Sequence, residues 1–386
     1  MTRKIAILGA TGSIGRSTLD LIEAAPDRFE VVALTAASNV DQLAEDAKRT
    51  GAKLAVIADE ALLPQLRQGL TGTNIHAAAG SVALAEAAAG EADLVMAAIV
   101  GCAGLEPVMA AVHAGKTVAL ANKEALVTAG ALMLDAAARS GATLLPVDSE
   151  HNAIFQCLAG QSGDGVARLI LTASGGPFRS STAEEMARVT PAQAVAHPNW
   201  AMGAKISVDS ATMMNKGLEL IEAHYLFGVP AERIDIVVHP QSIVHSLVEF
   251  ADGSMLAQLG PSDMRVPIAH VLTWPERMAT QVDRLDLLAA GRLDFEAPDE
   301  VRFPAMRLAR EALGAGGAAP VVLNAANEVA VAAFLDGAIH FPDIAALVER
   351  ALRAMHEPAP RSIDEVIVLD AKARAVAARM VAEQGA

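Results

Sequence analysis

The sequence predicts an α/β protein with a doubly wound, Rossmann-like N-terminal domain, a central α+β domain and a small C-terminal α-helical domain. Three observations lead to this fold class. Short apolar runs alternate with Ala-rich helical stretches over residues 1–150, strand-like runs and turns return in 151–273, and amphipathic helical periodicity fills 305–386. Residues 274–304 are rich in turn formers, and we expect them to form a linker.

Six apolar runs in the N-terminal domain have the length and composition of β-strands. They cover residues 5–8, 31–34, 55–57, 94–98, 118–121 and 144–147. Helical stretches separate them, which predicts a parallel sheet of about six strands. Polar groups follow several strands, and the carboxyl ends of parallel strands share one edge of a sheet. The sequence therefore predicts a polar rim, made of Thr11-Gly12-Ser13, Ser38-Asn39, Asn122-Lys123-Glu124 and Asp148-Ser149-Glu150.

The later elements have a different pattern. Further strand-like runs cover residues 169–172, 234–238, 243–250 and 255–259, and an Asp252-Gly253 turn predicts that the last two form a hairpin in a partly antiparallel sheet. The Pro-rich region 261–304 is expected to be a connection with short helical pieces. Four amphipathic stretches near 305–313, 321–335, 344–355 and 371–383 predict the C-terminal helices.

Composition excludes several classes of protein. The chain has 386 residues, of which 53% are hydrophobic and 19% charged, enough for two or three domains. A net charge of −15 opposes binding to nucleic acid. Apolar runs are too short to span a membrane, and Met1-Thr2-Arg3-Lys4 leads directly into a strand, so we expect a cytoplasmic protein without a signal peptide. The two cysteines, Cys102 and Cys157, fit a reducing compartment.

The loop after the first predicted strand contains Gly9, Gly12 and Gly15 and opens a helix. This placement indicates a dinucleotide site, in which the helix N-terminus receives the pyrophosphate and Thr11 and Ser13 add donors. The alternative is a strand-helix turn without a ligand. The second strand is followed by residues 35–39, which include no carboxylate to bind a ribose 2′-hydroxyl, and this favours NADP over NAD.

Two carboxylates, Asp148 and Glu150, follow the sixth strand with Ser149 between them. Such hard oxygen ligands suit Mg²⁺ or Mn²⁺. The alternative interpretation of Asp-x-Glu is a helix cap. A third metal ligand is expected in the segment from Asp209 to Glu219. Within a helix, Asn215 and Glu219 share one face, with Lys216 beside them. The alternative interpretation of this segment is an ordinary solvated helix face.

These residues resemble the 1-deoxy-D-xylulose 5-phosphate reductoisomerase family over essentially the whole chain. The resemblance rests on residues 9–15 (GATGSIG), 121–124 (ANKE), 146–152 (PVDSEHN), 173–178 (ASGGPF), 197–200 (HPNW), 213–219 (MMNKGLE) and 239–242 (HPQS).

The resemblance implies the NADPH-dependent and metal-dependent conversion of 1-deoxy-D-xylulose 5-phosphate to 2-C-methyl-D-erythritol 4-phosphate by a homodimer. Residues 1–150 then bind NADPH and 151–273 form the catalytic and dimerisation domain, with strands 243–250 and 255–259 as candidates for subunit pairing. The reaction breaks and reforms a carbon-carbon bond and then transfers a hydride to the resulting aldehyde. The acid-base group stays open among an oxygen on the metal, Lys123 and Glu150.

The resemblance also assigns residues to each role. The metal ligands are Asp148, Glu150 and Glu219, and these residues with Lys123 form the catalytic set. The sugar phosphate is expected to contact Lys123, Ser149, Glu150, Ser174, His197, Trp200, Ser210, Asn215, Lys216 and Glu219. NADPH is expected to contact Thr11, Gly12, Ser13, Ile14, Ala37, Asn39, Asn122, Glu124 and Gly203, although the basic residue that the family often has near Ser38 is missing.

Two rival functions remain. An NADP-dependent semialdehyde dehydrogenase would need a cysteine nucleophile, for which Cys102 is the only candidate, and a packing role suits that residue better. A noncatalytic NADP-binding sensor would not need three carboxylates.

Trp200 lies in a turn-rich segment that could close over a substrate, and its alternative role is a core anchor.

Overall fold

The computed structural model describes residues 2–159, 165–196, 200 and 202–384. The chain forms two compact units. Within the described residues, the first is built from Met1–Ala125, Ala131–Asn152 and Met264–Val282. The second is built from Leu126–Gly130, Ala153–Asp263 and Asp283–Ala386. The four-part division at residues 150, 273 and 304 stays a prediction.

Eleven strands occur in the described part of the chain. They are β1 (Arg3–Leu8), β2 (Phe29–Ala36), β3 (Leu54–Ile57), β4 (His76–Ala79), β5 (Leu94–Ala97), β6 (Thr117–Leu120), β7 (Thr143–Pro146), β8 (Val166–Ala173), β9 (Ile234–Val238), β10 (Val244–Phe250) and β11 (Met255–Leu259).

Seventeen α-helices occur among the same residues. They are α1 (Ser13–Glu23), α2 (Val40–Thr50), α3 (Leu63–Gly69), α4 (Gly80–Ala89), α5 (Leu105–His113), α6 (Lys123–Ser140), α7 (Ser149–Cys157), α8 (Ala183–Met186), α9 (Pro191–Ala194), α10 (Ala204–Ala211), α11 (Met214–Phe227), α12 (Arg265–Thr273), α13 (Leu287–Ala290), α14 (Ala305–Ala315), α15 (Ala319–Leu335), α16 (Phe341–Ala354) and α17 (Ile363–Gln384). No helix in the described ranges is both long and apolar enough to cross a membrane.

The first unit contains a parallel sheet with the order β4-β3-β2-β1-β5-β6-β7. The six predicted strands are confirmed, and β4, which was not predicted, adds a seventh. His76-Ala77-Ala78-Ala79 lacks the β-branched residues that mark a strand, so its sequence resembles a helix. The strand order reverses between β1 and β5, and ligands of doubly wound sheets bind beside such a switch point.

The polar rim that the sequence predicts follows from this sheet. Its strands are all parallel, so the segments after β1, β2, β6 and β7 leave the same edge. The sheet itself is buried, with Ile5, Ile7 and Leu94 inaccessible to solvent. A rigid apolar layer therefore holds the polar groups at its edge.

The second unit contains a four-stranded sheet with the order β11-β10-β8-β9. Strand β10 is antiparallel to both β11 and β8, whereas β8 and β9 are parallel, so the sheet is partly antiparallel as predicted. The predicted hairpin forms at Asp252, whose carboxylate accepts from the Ser254 hydroxyl at 2.7 Å and from the Ser254 N–H at 2.9 Å. These two bonds stabilise the turn and lower the pKa of Asp252.

The four C-terminal helices are present, and the last begins at Ile363, eight residues before the predicted start. Helix α15 is buried on most of its surface and packs against α10, α14, α16 and α17. Region 261–304 contains α12 and α13; α12 buries seven of its nine residues and packs on α1 within the first unit.

Candidate active site

The glycine loop after β1 forms an open helix N-terminus. Gly12 is the N-cap of α1, and within the described ranges no side chain caps that helix, so a bound anion can accept from its first-turn amides. A Cβ on Gly15 would lie 2.3 Å from the carbonyl oxygen of Ala10, whereas a Cβ on Gly12 would approach only Gly9, at 3.4 Å. Gly15 is therefore needed for the turn itself, and Gly12 leaves space in front of the helix.

Two residues near this loop were missed by the sequence analysis. The Thr35 hydroxyl on β2 accepts from the Gly9 N–H at 3.0 Å, and the Thr35 carbonyl accepts from the Ala10 N–H at 2.7 Å. Arg16, one turn into α1, donates to the Thr11 carbonyl at 3.3 Å and adds positive charge near the helix N-terminus. A buried threonine ending an apolar strand and an arginine after the glycines are weak signals in a single sequence.

The predicted nicotinamide-cofactor residues after β2 and β6 have different environments. Ala37 and Asn39 are exposed, and the Asn39 side chain caps α2 by accepting from Gln42 at 3.3 Å. Asn122 is buried; its amide donates to Ile99 and to Gly101, and its oxygen accepts from Ala125.

The contact of Asn122 with NADPH stays a prediction, and the hydrogen bonds of its side chain within the protein show a structural role. The amide of Asn122 joins the loop after β5 to the start of α6. Its neighbours Lys123 and Glu124, in the first turn of α6, are buried.

The acidic turn after β7 is an ion-paired cluster. Lys123 donates through its ammonium to Asp148, and His151 Nδ1 lies 3.4 Å from the other Asp148 oxygen. That oxygen also accepts from the Glu150 N–H at 3.1 Å, which is the contact that the helix-cap interpretation predicts for Asp148. The Ser149 hydroxyl donates to the Glu150 carboxylate at 2.8 Å. Two half-buried carboxylates and one ammonium thus gather at the rim.

The acidic turn is held from behind by a buried amide. Asn152 donates to the carbonyl of Pro146 at 2.8 Å and lies 3.2 Å from Nδ1 of His270 on α12. Because the amide donates, His270 Nδ1 accepts and the ring is neutral. Burial, with the charge of Arg277, lowers the pKa of His270 from 6.5 to about 4.

We expect acid to destabilise the protein through His270. The pKa of His270 is lower in the folded protein than in the unfolded chain. The folded protein therefore has its full stability above pH 6.5, and its free energy of unfolding decreases by up to about 3 kcal/mol as the pH falls towards 4. The thermal midpoint of His270→Gln should therefore depend less on pH over this range than that of the wild type. His76→Gln, at an exposed histidine, is the control and should keep the wild-type slope. Equal slopes for all three proteins would contradict the assignment.

A second cluster of polar side chains, Asn215, Lys216 and Glu219, lies at the start of α11. Met213, the residue before the helix, has a left-handed backbone (φ 63°), which is uncommon for a side chain of this kind. Asn215 donates to Glu219 at 2.5 Å, and the Lys216 ammonium donates to the other Glu219 oxygen. Glu219 is 0% exposed and Lys216 is 4% exposed, so the solvated-face alternative is wrong.

Three further predicted residues lie in the second unit. Ser174 accepts from the Gly176 N–H at 3.1 Å, and a Cβ on Gly176 would lie 2.8 Å from the Ser210 carbonyl, so the loop after β8 packs closely on α10. Gly203 is the exposed N-cap of α10, and no side chain of the described residues caps this helix. His197 lies outside the described residues.

Trp200 is half-buried and packs edge to face with His245, their ring centroids 6.1 Å apart. His239 is a fully buried histidine with both ring nitrogens hydrogen-bonded, to the Asp294 carbonyl and the Ile243 N–H. Its role is structural, as burial with two partners indicates. Cys102 is half-buried and forms no disulfide.

The Rossmann-like sheet, the uncapped glycine loop and the ion-paired carboxylates define an α/β protein of the dinucleotide-binding class. Three family models match the chain, described as 1-deoxy-D-xylulose 5-phosphate reductoisomerase over residues 5–130, its C-terminal domain over 144–227, and the DXP reductoisomerase C-terminal domain over 259–376. The chain belongs to the 1-deoxy-D-xylulose 5-phosphate reductoisomerase family.

Individual relatives agree with this family. Proteins named 1-deoxy-D-xylulose 5-phosphate reductoisomerase are 59% identical in Zymomonas mobilis, over 98% of both chains, and 59% identical in Rhodospirillum centenum, over 98% of this chain and 94% of that protein. The solved Zymomonas mobilis enzyme in complex with NADPH has a TM-score of 0.94, 57% identity and 99% coverage of both chains. A DOX-P reductoisomerase in complex with NADPH, fosmidomycin and magnesium has a TM-score of 0.95, 44% identity and complete coverage of both chains.

Proposed function

We propose that this protein rearranges and reduces 1-deoxy-D-xylulose 5-phosphate to 2-C-methyl-D-erythritol 4-phosphate, with NADPH as hydride donor and a divalent metal. The observation that carries the proposal is the ion pair of Lys123 with Asp148 at the carboxyl edge of a dinucleotide-type sheet. An ammonium and ionised carboxylates at that edge are suited to a ketose, whose oxygens gain and lose negative charge during the reaction. The family supports the same function.

The residues present fit a divalent metal. We assign it to Asp148, Glu150 and Glu219, because carboxylate oxygens are the hard donors that Mg²⁺ and Mn²⁺ prefer. Asp148 and Glu219 each already accept from a lysine ammonium, which shows that these carboxylates compensate positive charge. When bound, the metal supplies Lewis-acid polarisation of the ketone.

The protein's own side chains bind and orient the sugar phosphate. In this proposal Lys216 and Asn215 contact the phosphate end, together with Ser210 and His197. The oxygen atom of the Asn215 side chain is buried and has no hydrogen-bond partner among the described residues, so it is available to a hydroxyl donor of a ligand. Ser174, on the loop that packs on α10, presents a hydroxyl to the same ligand.

Around the reacting carbons, Lys123 and Ser149 orient the substrate oxygens. The Lys123 ammonium donates a hydrogen bond to Asp148, so it is placed to donate to a substrate oxygen as negative charge develops on that oxygen. Trp200 covers the sugar and excludes water. The acid-base group for the isomerisation stays open among the three candidates named from the sequence.

The glycine loop fits the pyrophosphate of NADPH. Its uncapped helix N-terminus supplies backbone donors, and we assign this contact to Thr11, Gly12, Ser13 and Ile14. The remaining NADPH contacts are proposed at Ala37, Asn39, Asn122, Glu124 and Gly203. Fixed alignment of the nicotinamide with the aldehyde is the protein's contribution to hydride transfer.

Three finer properties belong to the same proposal. The protein is a homodimer, for which β11, an edge strand of the four-stranded sheet among the described residues, offers an edge for pairing and the exposed side chains of Met255 and Leu256. Mn²⁺ replaces Mg²⁺ in the site, since both prefer oxygen ligands. The protein is cytoplasmic, which suits two cysteines that form no disulfide.

The function is tested by following NADPH oxidation with 1-deoxy-D-xylulose 5-phosphate and Mg²⁺. Oxidation that needs all three components, is lost with EDTA and returns with Mg²⁺ is the expected result. The absence of oxidation with the sugar phosphate would refute the function. Oxidation at full rate in EDTA would refute the role of the metal.

Cys102→Ala should retain turnover within about twofold, because no step of the proposed reaction uses a thiol nucleophile. Cys157→Ala is the matched control: Cys157 is buried, and its burial raises the pKa of that thiol to about 11. Turnover is measured as NADPH oxidation. Loss of turnover in Cys102→Ala alone would favour the semialdehyde dehydrogenase.

Trp200→Ala should raise the substrate KM or lower kcat by about tenfold while leaving the thermal midpoint nearly unchanged, because the indole is assigned to the substrate. Trp274→Ala, at the other and more exposed tryptophan, should leave both kinetic constants near wild type. A large drop in the midpoint of Trp200→Ala would instead support its role as a core anchor against His245.

A further inference from the structure

A buried hydrogen bond joins the C-terminal helices to the segment that carries Ser210. Asn327 on α15 donates to the carboxylate of Asp209 on α10 at 2.8 Å, across 118 residues of sequence. Asp209 is buried and also pairs with Lys205, one turn earlier on α10, at 2.8 Å. The neighbour of Asp209 in sequence is Ser210, a residue assigned to the phosphate end of the substrate.

The position of Asn327 is unusual for an amide. It is 0% exposed on a helix whose other buried residues are all apolar apart from Asn324, and its side-chain oxygen has no hydrogen-bond partner within the described part of the chain. Burying an incompletely bonded amide in such surroundings costs free energy, which an apolar side chain would avoid. The bond that it does make is to a carboxylate and is therefore strong and directional.

This bond joins α15 to α10, which also packs against α9 and α11. Helix α10 has only eight residues and ends just before the left-handed Met213. The Ser210 carbonyl lies against Gly176, in the loop that carries Ser174. A rotation of α10 would therefore move two hydroxyl groups of the proposed phosphate site together.

We infer that Asn327 is a positioning residue for the sugar phosphate: through Asp209 it holds α10 so that Ser210 and Ser174 face the phosphate group. The inference rests on the proposed function and extends it to the C-terminal helical region. Asn327 touches no ligand itself. Its loss is expected to weaken phosphate binding without changing the chemical step.

The test replaces Asn327 by leucine, which has nearly the same shape and cannot donate. We expect the KM for 1-deoxy-D-xylulose 5-phosphate to rise about tenfold, with kcat and the KM for NADPH within about twofold of wild type. The Kd for inorganic phosphate, measured by calorimetry, should rise in parallel. The control is Asn324→Leu: Asn324 is equally buried on the same helix, but its amide donates to Glu328 within α15, at 3.0 Å.

An unchanged substrate KM and phosphate Kd in Asn327→Leu would overturn the inference, as would an equal rise in Asn324→Leu, which would indicate general loosening of α15. If Asn327→Leu does not fold, Asp209→Asn is measured instead, because it weakens the same bond with little change of shape. It should raise the substrate KM and the phosphate Kd, and unchanged values would overturn the inference. If the wild type does not oxidise NADPH with the sugar phosphate, the proposed function fails. The phosphate Kd of the variants still tests the role of Asn327.

Discussion

Glu219→Gln is expected to lower kcat by on the order of 1,000-fold, because it removes a charge that we assign to the metal site while keeping the shape of the side chain. The variant also leaves the buried Lys216 ammonium without its carboxylate, which should cost about 3 kcal/mol or more of folding free energy. Stability and catalysis must therefore be separated.

A double variant separates the two effects. Lys216→Met with Glu219→Gln removes both charges of the buried pair, so the thermal midpoint should recover towards the wild-type value while turnover stays lost. Glu222→Gln, at a buried carboxylate one turn further along α11, is the matched control and should keep turnover within about threefold. Recovery of turnover in the double variant would show that Glu219 serves only folding.

Gly12→Val is the second prediction with a large effect: the affinity for NADPH should fall by on the order of 100-fold, with little change of the thermal midpoint. The backbone of Gly12 (φ −79°, ψ 174°) is extended and suits valine, and a Cβ there would approach only Gly9, at 3.4 Å. The new side chain would therefore fill the space assigned to the pyrophosphate without straining the fold.

Two comparisons sharpen this prediction. Gly15→Ala should unfold the loop, because its Cβ would lie 2.3 Å from the Ala10 carbonyl, so the midpoint and NADPH binding should fall together. Gly314→Val, at an exposed glycine of α14 with open space around it, should leave NADPH affinity unchanged. The NADPH Kd is measured by fluorescence titration. Wild-type affinity in Gly12→Val would place the cofactor elsewhere.

The sheet of the first unit could be predicted because its central strands are short apolar runs that are buried on both faces. Runs such as 31–34 and 94–98 have that pattern, and each ends where a polar segment begins. Strand β4 could not be predicted, because three alanines favour a helix and only pairing with β3 makes the segment a strand.

The candidate site divides in the same way. The carboxylates and the glycine loop are local patterns, so Asp148, Glu150 and Gly12 could be found from sequence. Other groups around the candidate site come from segments that are distant in sequence. His270 lies within hydrogen-bond distance of Asn152, 118 residues away, and Asn327 donates to Asp209 across the same separation. No local spacing relates such pairs, and only the fold brings them together.

Binding of Mn²⁺, measured by electron paramagnetic resonance titration, tests the central claim that Asp148, Glu150 and Glu219 are the ligands of one cation. We expect one Mn²⁺ per chain in the wild type and a loss of affinity of about 100-fold or more in each of Asp148→Asn, Glu150→Gln and Glu219→Gln. Glu222→Gln should bind Mn²⁺ as the wild type does. Unchanged Mn²⁺ affinity in Glu219→Gln would show that Glu219 is not a ligand of the cation.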